Sequence, residues 1–140
     1  MLYPPLIYYD TIDEYRDHFK KIYCTGNVIS FDGITVRFKN DDFNHAFYES
    51  VKSKDDTFSP KRAERIDWIK AALSDPDSER FIGWDNVKKR YDGQRRVTIV
   101  MKDYVVVIAI LKNGSGKFIT AYVADSETTL SKIRKGTLWK

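Results

Sequence analysis

The chain has one cysteine, Cys24, in 140 residues, so it has no internal disulfide and no Cys-rich zinc site. A reducing compartment is the simplest expectation. Its longest apolar run is about eight residues, far short of the roughly 20 that a membrane helix needs. The N-terminal MLYPPLIYYD lacks both the basic start and the long apolar centre of a secretory signal. Histidine is scarce: His18 and His45 lie far apart, with no Asp or Cys cluster at ligand spacing, which argues against a zinc or di-metal centre. Asp41 and Asp42, near His45, read more simply as acidic residues at the positive end of a helix. No Gly-rich phosphate loop, G-x-G-x-x-G, G-x-S-x-G or H-E-x-x-H occurs, so nucleotide-loop, dinucleotide, serine-hydrolase and zincin chemistries lack their signatures. No cofactor is expected.

Apolar and aromatic residues are plentiful, enough for a real core in a single domain covering 1–140. The net charge of +4 hides a division. Residues 1–79 carry 11 Lys and Arg against 15 Asp and Glu, whereas residues 80–140 carry 13 against 5. A basic half suggests phosphate-bearing partners, nucleic acid first, against the plainer reading of a solvated surface.

The stretch Arg95–Ala124 organises the rest. Three β-branched runs, Val97–Met101, Tyr104–Leu111 and Phe118–Ala124, are separated by Lys-Asp and by Lys-Asn-Gly-Ser-Gly, the pattern of antiparallel strands. The middle run is almost continuously apolar, as a strand in the centre of a sheet would be. Upstream, Phe81–Trp84 and Val87–Tyr91 read as short strands, with Asp92-Gly93 as a turn into the next run.

Helices precede the meander. Thr11 and Glu14 have capping-box spacing, and Ile12, Tyr15, Phe19 and Ile22 predict a helix over Ile12–Tyr23. His18 beside that stripe reads as a structural, half-buried histidine. Asn27–Phe38 is a strand–turn–strand around Asp32-Gly33, a ribbon that could extend the main sheet at its edge. Asn40–Ser50 predicts a short helix with Phe43, Phe47 and Val51 on one face and His45 offset from it. Lys52–Phe58 reads as a loop. Ser59-Pro60 starts a helix to about Leu73, burying Ala63, Ile66, Ile69 and Leu73. A last helix, Ser126–Lys135, is stopped by Gly136. The expected fold is α+β: N-terminal helices with a β-hairpin (1–39), a core over 40–124 whose four-stranded antiparallel sheet is packed by helices on one face, and a C-terminal helix and tail (125–140).

The chemistry-bearing residues left over are His45, the pair Arg62 and Arg65, the strand residues Thr120 and Tyr122, and the basic cluster Lys88, Lys89, Arg90, Arg95 and Arg96. These are the types a metal-free ribonuclease uses: a base for the 2′-hydroxyl, an acid for the leaving oxygen, and cations for the charge on phosphorus. His titrates near neutrality, and Arg grips phosphate bidentately. Thr120 and Tyr122 share one sheet face and Ala121 and Val123 the other, which would leave the hydroxyl side open. The plainer readings are a surface histidine, packing residues on a strand, and a solvated hairpin tip.

The segments F-S-P-K-R-A-E-R-I-D-W-I-K-A-A-L (Phe58–Leu73), F-I-T-A-Y (Phe118–Tyr122) and N-H-A-F (Asn44–Phe47) resemble the phage-associated branch of the barnase–EndoU–colicin–RelE-like nucleases. The resemblance covers roughly Phe43–Val123. It implies a barnase/RelE-like fold and metal-independent RNA cleavage to a 2′,3′-cyclic phosphate. His45 would be the acid/base, Arg62 and Arg65 phosphate ligands, and Thr120 and Tyr122 the sheet side of the site. From charge and residue type rather than from the resemblance, Lys88, Lys89, Arg90, Arg95 and Arg96 would bind the nucleic acid. The resemblance further implies a phage- or prophage-encoded toxin or effector in the bacterial cytoplasm. Its partners would be RNA (tRNA or ribosome-bound mRNA among them) and an antitoxin or phage protein, with no membrane. One departure is the carboxylate base common in barnase-like members, since neither Glu49 nor Glu64 suits the part. The alternative on the same fold is a non-catalytic nucleic-acid-binding or phage protein-interaction module.

Overall fold

The computed structural model describes residues 3–25, 28–82, 84–85, 90–91, 96–124 and 127–134. The fold is α+β. Helix α1 (Ile12–Phe19) starts where Thr11 Oγ1 accepts the Glu14 N–H at 3.3 Å and donates to Glu14 Oε1 at 3.1 Å. It continues into a π-turn, Lys20–Cys24. The turn's wider winding leaves Ile22 half-buried and places Tyr23 in the core behind Tyr15 and Phe19.

Strands β1 (Val28–Ile29) and β2 (Thr35–Arg37) form the expected ribbon, turned at Gly33 with φ of 86°. Helix α2 (Asp42–Phe47) buries Phe43, Ala46 and Phe47. It ends one turn earlier than the sequence suggests. Tyr48 becomes extended and begins β3 (Tyr48–Glu49), which pairs with β4 (Thr57–Phe58), inside the segment expected to be loop. Val51 is consequently exposed.

The single helix expected from Ser59 is two: α3 (Pro60–Ala63) and α4 (Trp68–Ser74). The break has a specific cause. The Tyr23 hydroxyl donates to Ile66 O at 2.5 Å and accepts from Lys70 N at 3.0 Å, standing between two groups that an unbroken helix would join. The intervening amides tighten to three-residue bonds, Arg65 to Arg62, Ile66 to Ala63 and Trp68 to Arg65. The buried face still holds Ala63, Ile66, Ile69 and Leu73.

The remaining strands are β5 (Glu79–Ile82), β6 (Trp84–Asp85), β7 (Arg90–Tyr91), β8 (Arg96–Met101), β9 (Tyr104–Ile110) and β10 (Gly116–Val123). β6 and β7 pair with each other. The main sheet has six strands in the order β1-β2-β10-β9-β8-β5 and is mixed. β5, β8, β9 and β10 run antiparallel, and the ribbon joins them through a parallel pairing of β2 with β10. The sheet is therefore not the four-stranded antiparallel one expected, because the ribbon's second strand pairs in parallel with the start of β10, at Gly116 and Lys117. Gly116 permits this closure: a Cβ there would sit 3.1 Å from Ile34 Cγ2 and 3.2 Å from Val36 Cγ2.

The inner face carries the main core, with Val36, Ile99, Tyr104, Val106, Ile108, Phe118 and Ala121 under α1, α2, α3 and α4. The helices are not confined to that face. Phe81, Val100, Val105 and Ala124, from the sheet and the turn beyond it, meet Leu130 of α5 (Glu127–Arg134) in a second, smaller core on the outer side. No helix among the described residues is long and apolar enough to cross a membrane.

Candidate functional site

Past Lys117, β2 no longer pairs with β10, and α2 lies against the exposed edge instead. There, Thr120 Oγ1 donates to the His45 carbonyl at 2.8 Å. A β-bulge between Phe118 and Thr120 accompanies this change of neighbour.

His45 is part-exposed, and its Nδ1 lies 2.9 Å from Asp55 Oδ2. Asp55 reaches it from the loop between β3 and β4. That loop is tied by Asp56, whose carboxylate accepts the N–H groups of Val51, Lys52 and Ser53 at 2.9, 2.9 and 3.0 Å. These bonds hold the Asp56 carboxyl well below the usual carboxylate range. Asp55 takes a left-handed φ of 51°, a conformation that Asp tolerates better than most residues, and its N–H is received by Ser50 Oγ.

The pair opens on a cavity of about 470 Å³ lined by His45, Asp55, Lys39, Lys54, Lys117 and Thr120, with Asp41, Asp42, Phe118 and Ile119 completing the wall. Asp42 is buried and accepts Lys39 N–H at 2.8 Å; burial raises its carboxyl above the usual range, opposed by that bond and by the charges of His45, Lys117 and Lys39. With Nδ1 donating to Asp55, the neutral ring presents an unprotonated Nε2, the form of a general base. Three lysines stand around it beside the carboxylates of Asp41, Asp42 and Asp55, and their ammonium groups can offset charge that develops on an anion. Among the described residues no cluster of His, Cys, Asp and Glu is placed to hold a metal ion.

The expected site residues divide. His45 and Thr120 come together, although Thr120 presents its hydroxyl to the histidine's backbone rather than to the cavity. Arg62 and Arg65 do not line the cavity. Arg62 Nη1 donates to Tyr48 O at 2.8 Å. Arg65 Nη1 bonds Lys61 O at 2.7 Å and Glu64 Oε1 at 2.8 Å, and its guanidinium lies over Trp68. Their charges face the fully buried Tyr104, and Arg62 also acts on Tyr122. Tyr122 is half-buried against the second core, and burial raises its hydroxyl's pKa. The face it shares with Thr120 is therefore not the open one expected, because α5 covers that end.

Of the basic cluster, Lys88, Lys89 and Arg95 lie outside the described residues, as does the Asp92-Gly93 turn. Arg90 is placed only by its backbone in β7, and Arg96 opens β8. Sequence reasoning missed Asp55, Lys39, Lys54 and Lys117. Asp55 lies in a polar loop with no periodicity to mark it. His18 is structural, as expected: Nδ1 meets the Tyr9 hydroxyl and Nε2 meets Asp67 Oδ1, both at 2.8 Å.

No protein-family model, no curated protein and no solved structure matches this chain.

Proposed function

We propose that the chain is a metal-independent endoribonuclease acting at the His45 cavity. One observation carries the reading: a histidine held by a carboxylate, His45–Asp55, facing a cavity ringed by Lys39, Lys54 and Lys117. His45 Nε2 takes the proton of the 2′-hydroxyl as that oxygen attacks phosphorus. The bond to the 5′ oxygen breaks, that oxygen takes up a proton, and a 2′,3′-cyclic phosphate remains. Asp55 orients the ring and stabilises the imidazolium, as a carboxylate does behind a catalytic histidine. The lysines offset the charge that builds on the phosphoryl oxygens. The barnase–EndoU–colicin–RelE-like resemblance at Asn44–Phe47 supports His45 in this role and extends the proposal to a phage- or prophage-encoded toxin or effector. Arg62, Arg65 and Tyr122 then have structural parts, Arg62 on the Tyr48 carbonyl, Arg65 beside Glu64 and Trp68, and Tyr122 against the second core, rather than contacts to the phosphate.

The test is product chemistry. RNA incubated with the protein should acquire 2′,3′-cyclic phosphate ends by mass spectrometry, and an oligonucleotide with 2′-deoxy sugars throughout should stay intact. Cleavage of the all-deoxy strand, or 5′-phosphate products, would contradict the mechanism.

A further inference from the structure

The outer face of the sheet is divided between two uses. Helix α5 covers the end that carries Val100, Val105 and Tyr122. Towards the other end, four residues stand in register across four strands. Arg96 of β8 is opposite Ala109 of β9, Ala109 is opposite Lys117 of β10, and Lys117 is opposite Arg37 of β2. Their neighbours Val97, Ile108, Phe118 and Val36 are buried on the inner side, so strand alternation places the whole row on the outer face. Lys117 and Arg37 are exposed, and Arg96 is half-buried.

Directly opposed like charges on neighbouring strands destabilise a sheet. Lys117 and Arg37 are nonetheless side by side, with no carboxylate among the described residues at ion-pair distance from either. At about 4.8 Å per strand interval the row spans about 14 Å. The small Ala109 leaves its middle shallow. The row also has a direction: Lys117 lines the His45 cavity, and Lys39 on the same cavity rim follows Arg37 by two residues.

We infer that the row Arg96–Ala109–Lys117–Arg37 is a phosphate track for the single-stranded flank of the polynucleotide whose reacting nucleotide occupies the His45 cavity. The inference rests on the nuclease reading of that cavity. A polynucleotide repeats one negative charge per nucleotide, which a line of cations matches and a single anionic ligand would not use. The occupant is a single strand because a cavity of about 470 Å³ admits a nucleotide and not a duplex. The row contains no aromatic ring, so it holds backbone without selecting bases. The track runs from β8 across β9 and β10 to β2, and Arg96, one of the basic residues expected to bind nucleic acid, belongs to it.

The experiment uses a fluorescein-labelled 12-nucleotide 2′-O-methyl RNA, which has no free 2′-hydroxyl and cannot be cleaved, with fluorescence anisotropy across a salt series. Wild type, Arg37→Ala, Arg96→Gln and the double variant are compared, each checked for folding by circular dichroism. Each lost phosphate contact should lower the slope of log affinity against log salt by about 0.7, so the double variant loses about 1.4. Cleavage of an all-ribose 12-nucleotide RNA should fall further in the double variant than cleavage of a dinucleotide, which is too short to reach along the row. Equal slopes in wild type and both single variants overturn the track. So does equal binding of a poly-glutamate peptide of the same length, or duplex RNA held as tightly as the strand through Arg37 and Arg96. Variant-sensitive binding without cleavage of any RNA keeps the track and removes the nuclease reading. Cleavage with unchanged variant binding removes the track alone.

Discussion

The hydroxyl of Thr120 donates a 2.8 Å hydrogen bond to the backbone carbonyl of His45, 75 residues away in the chain. That carbonyl belongs to the last turn of α2, where helix carbonyls have lost their partners along the chain. One side chain on the sheet edge therefore closes the end of the helix that carries the proposed catalytic ring. Thr120→Val keeps the shape and removes the donor, leaving the carbonyl unpaired at a cost of about 1–3 kcal/mol. Urea denaturation should show that loss, and Thr120→Ser should recover most of it. Equal stability of the valine and serine variants would contradict the role.

Two buried tyrosines should respond in opposite directions. The Tyr23 hydroxyl joins Ile66 O to Lys70 N at the break between α3 and α4. The Tyr104 hydroxyl is buried with no partner among the described residues. Tyr23→Phe should cost about 1–3 kcal/mol, whereas Tyr104→Phe should be neutral or stabilising by about 1 kcal/mol. Burial raises both hydroxyls above the ordinary tyrosine value. Their contribution to stability is therefore fully present below the unfolded tyrosine pKa near 10, and it is lost as pH rises beyond that. Alkaline unfolding should begin above about pH 10 and shift upward in Tyr104→Phe. A destabilised Tyr104→Phe would mean that the hydroxyl has a role not visible in its contacts.

The loop that presents Asp55 should be insensitive to mild acid. Asp56 holds it through three backbone amides, and those bonds depress the carboxyl. A depressed carboxyl contributes above its unfolded pKa of about 3.9 and loses that contribution only as pH falls towards the depressed value. Amide resonances of Val51, Lys52 and Ser53 should keep their positions as pH falls through the ordinary carboxylate range. In Asp56→Ala they should shift at neutral pH, together with those of Asp55. Unchanged Asp55 resonances would separate the tie from the site.

Asp55→Asn should cut RNA cleavage by at least about tenfold while leaving thermal stability within about 0.5 kcal/mol, since the side chain is at the surface of the cavity. Arg62→Ala should instead lower stability, because its guanidinium holds the Tyr48 carbonyl between α2 and β3. Activity lost with Arg62 at unchanged stability would return that residue to the phosphate.

The meander was legible because β-branched runs separated by turn residues carry their signal locally, as at Tyr104–Leu111 and Asn113-Gly114. The α3/α4 break was not, because its cause is Tyr23, more than forty residues away. Nor could the pattern of Leu130 and Ile133 reveal that α5 packs on the opposite face from the other helices. At the site, His45 and Thr120 stood out by residue type, whereas Asp55 and Lys54 depend on a loop conformation and Lys117 on strand register. Arg62 and Arg65 are the converse case: residue type suggests phosphate, whereas in the fold Arg62 meets the Tyr48 carbonyl and Arg65 its near neighbours Glu64 and Trp68.

The most direct test of the central claim is cleavage of a mixed-sequence RNA by purified protein in excess EDTA, beside His45→Ala. The account predicts cleavage by the wild type and a loss of about 10²–10⁴-fold in the variant, the usual contribution of a positioned acid–base group. Equal cleavage by both proteins would contradict the assignment of His45, and cleavage abolished by EDTA would contradict the metal-free mechanism.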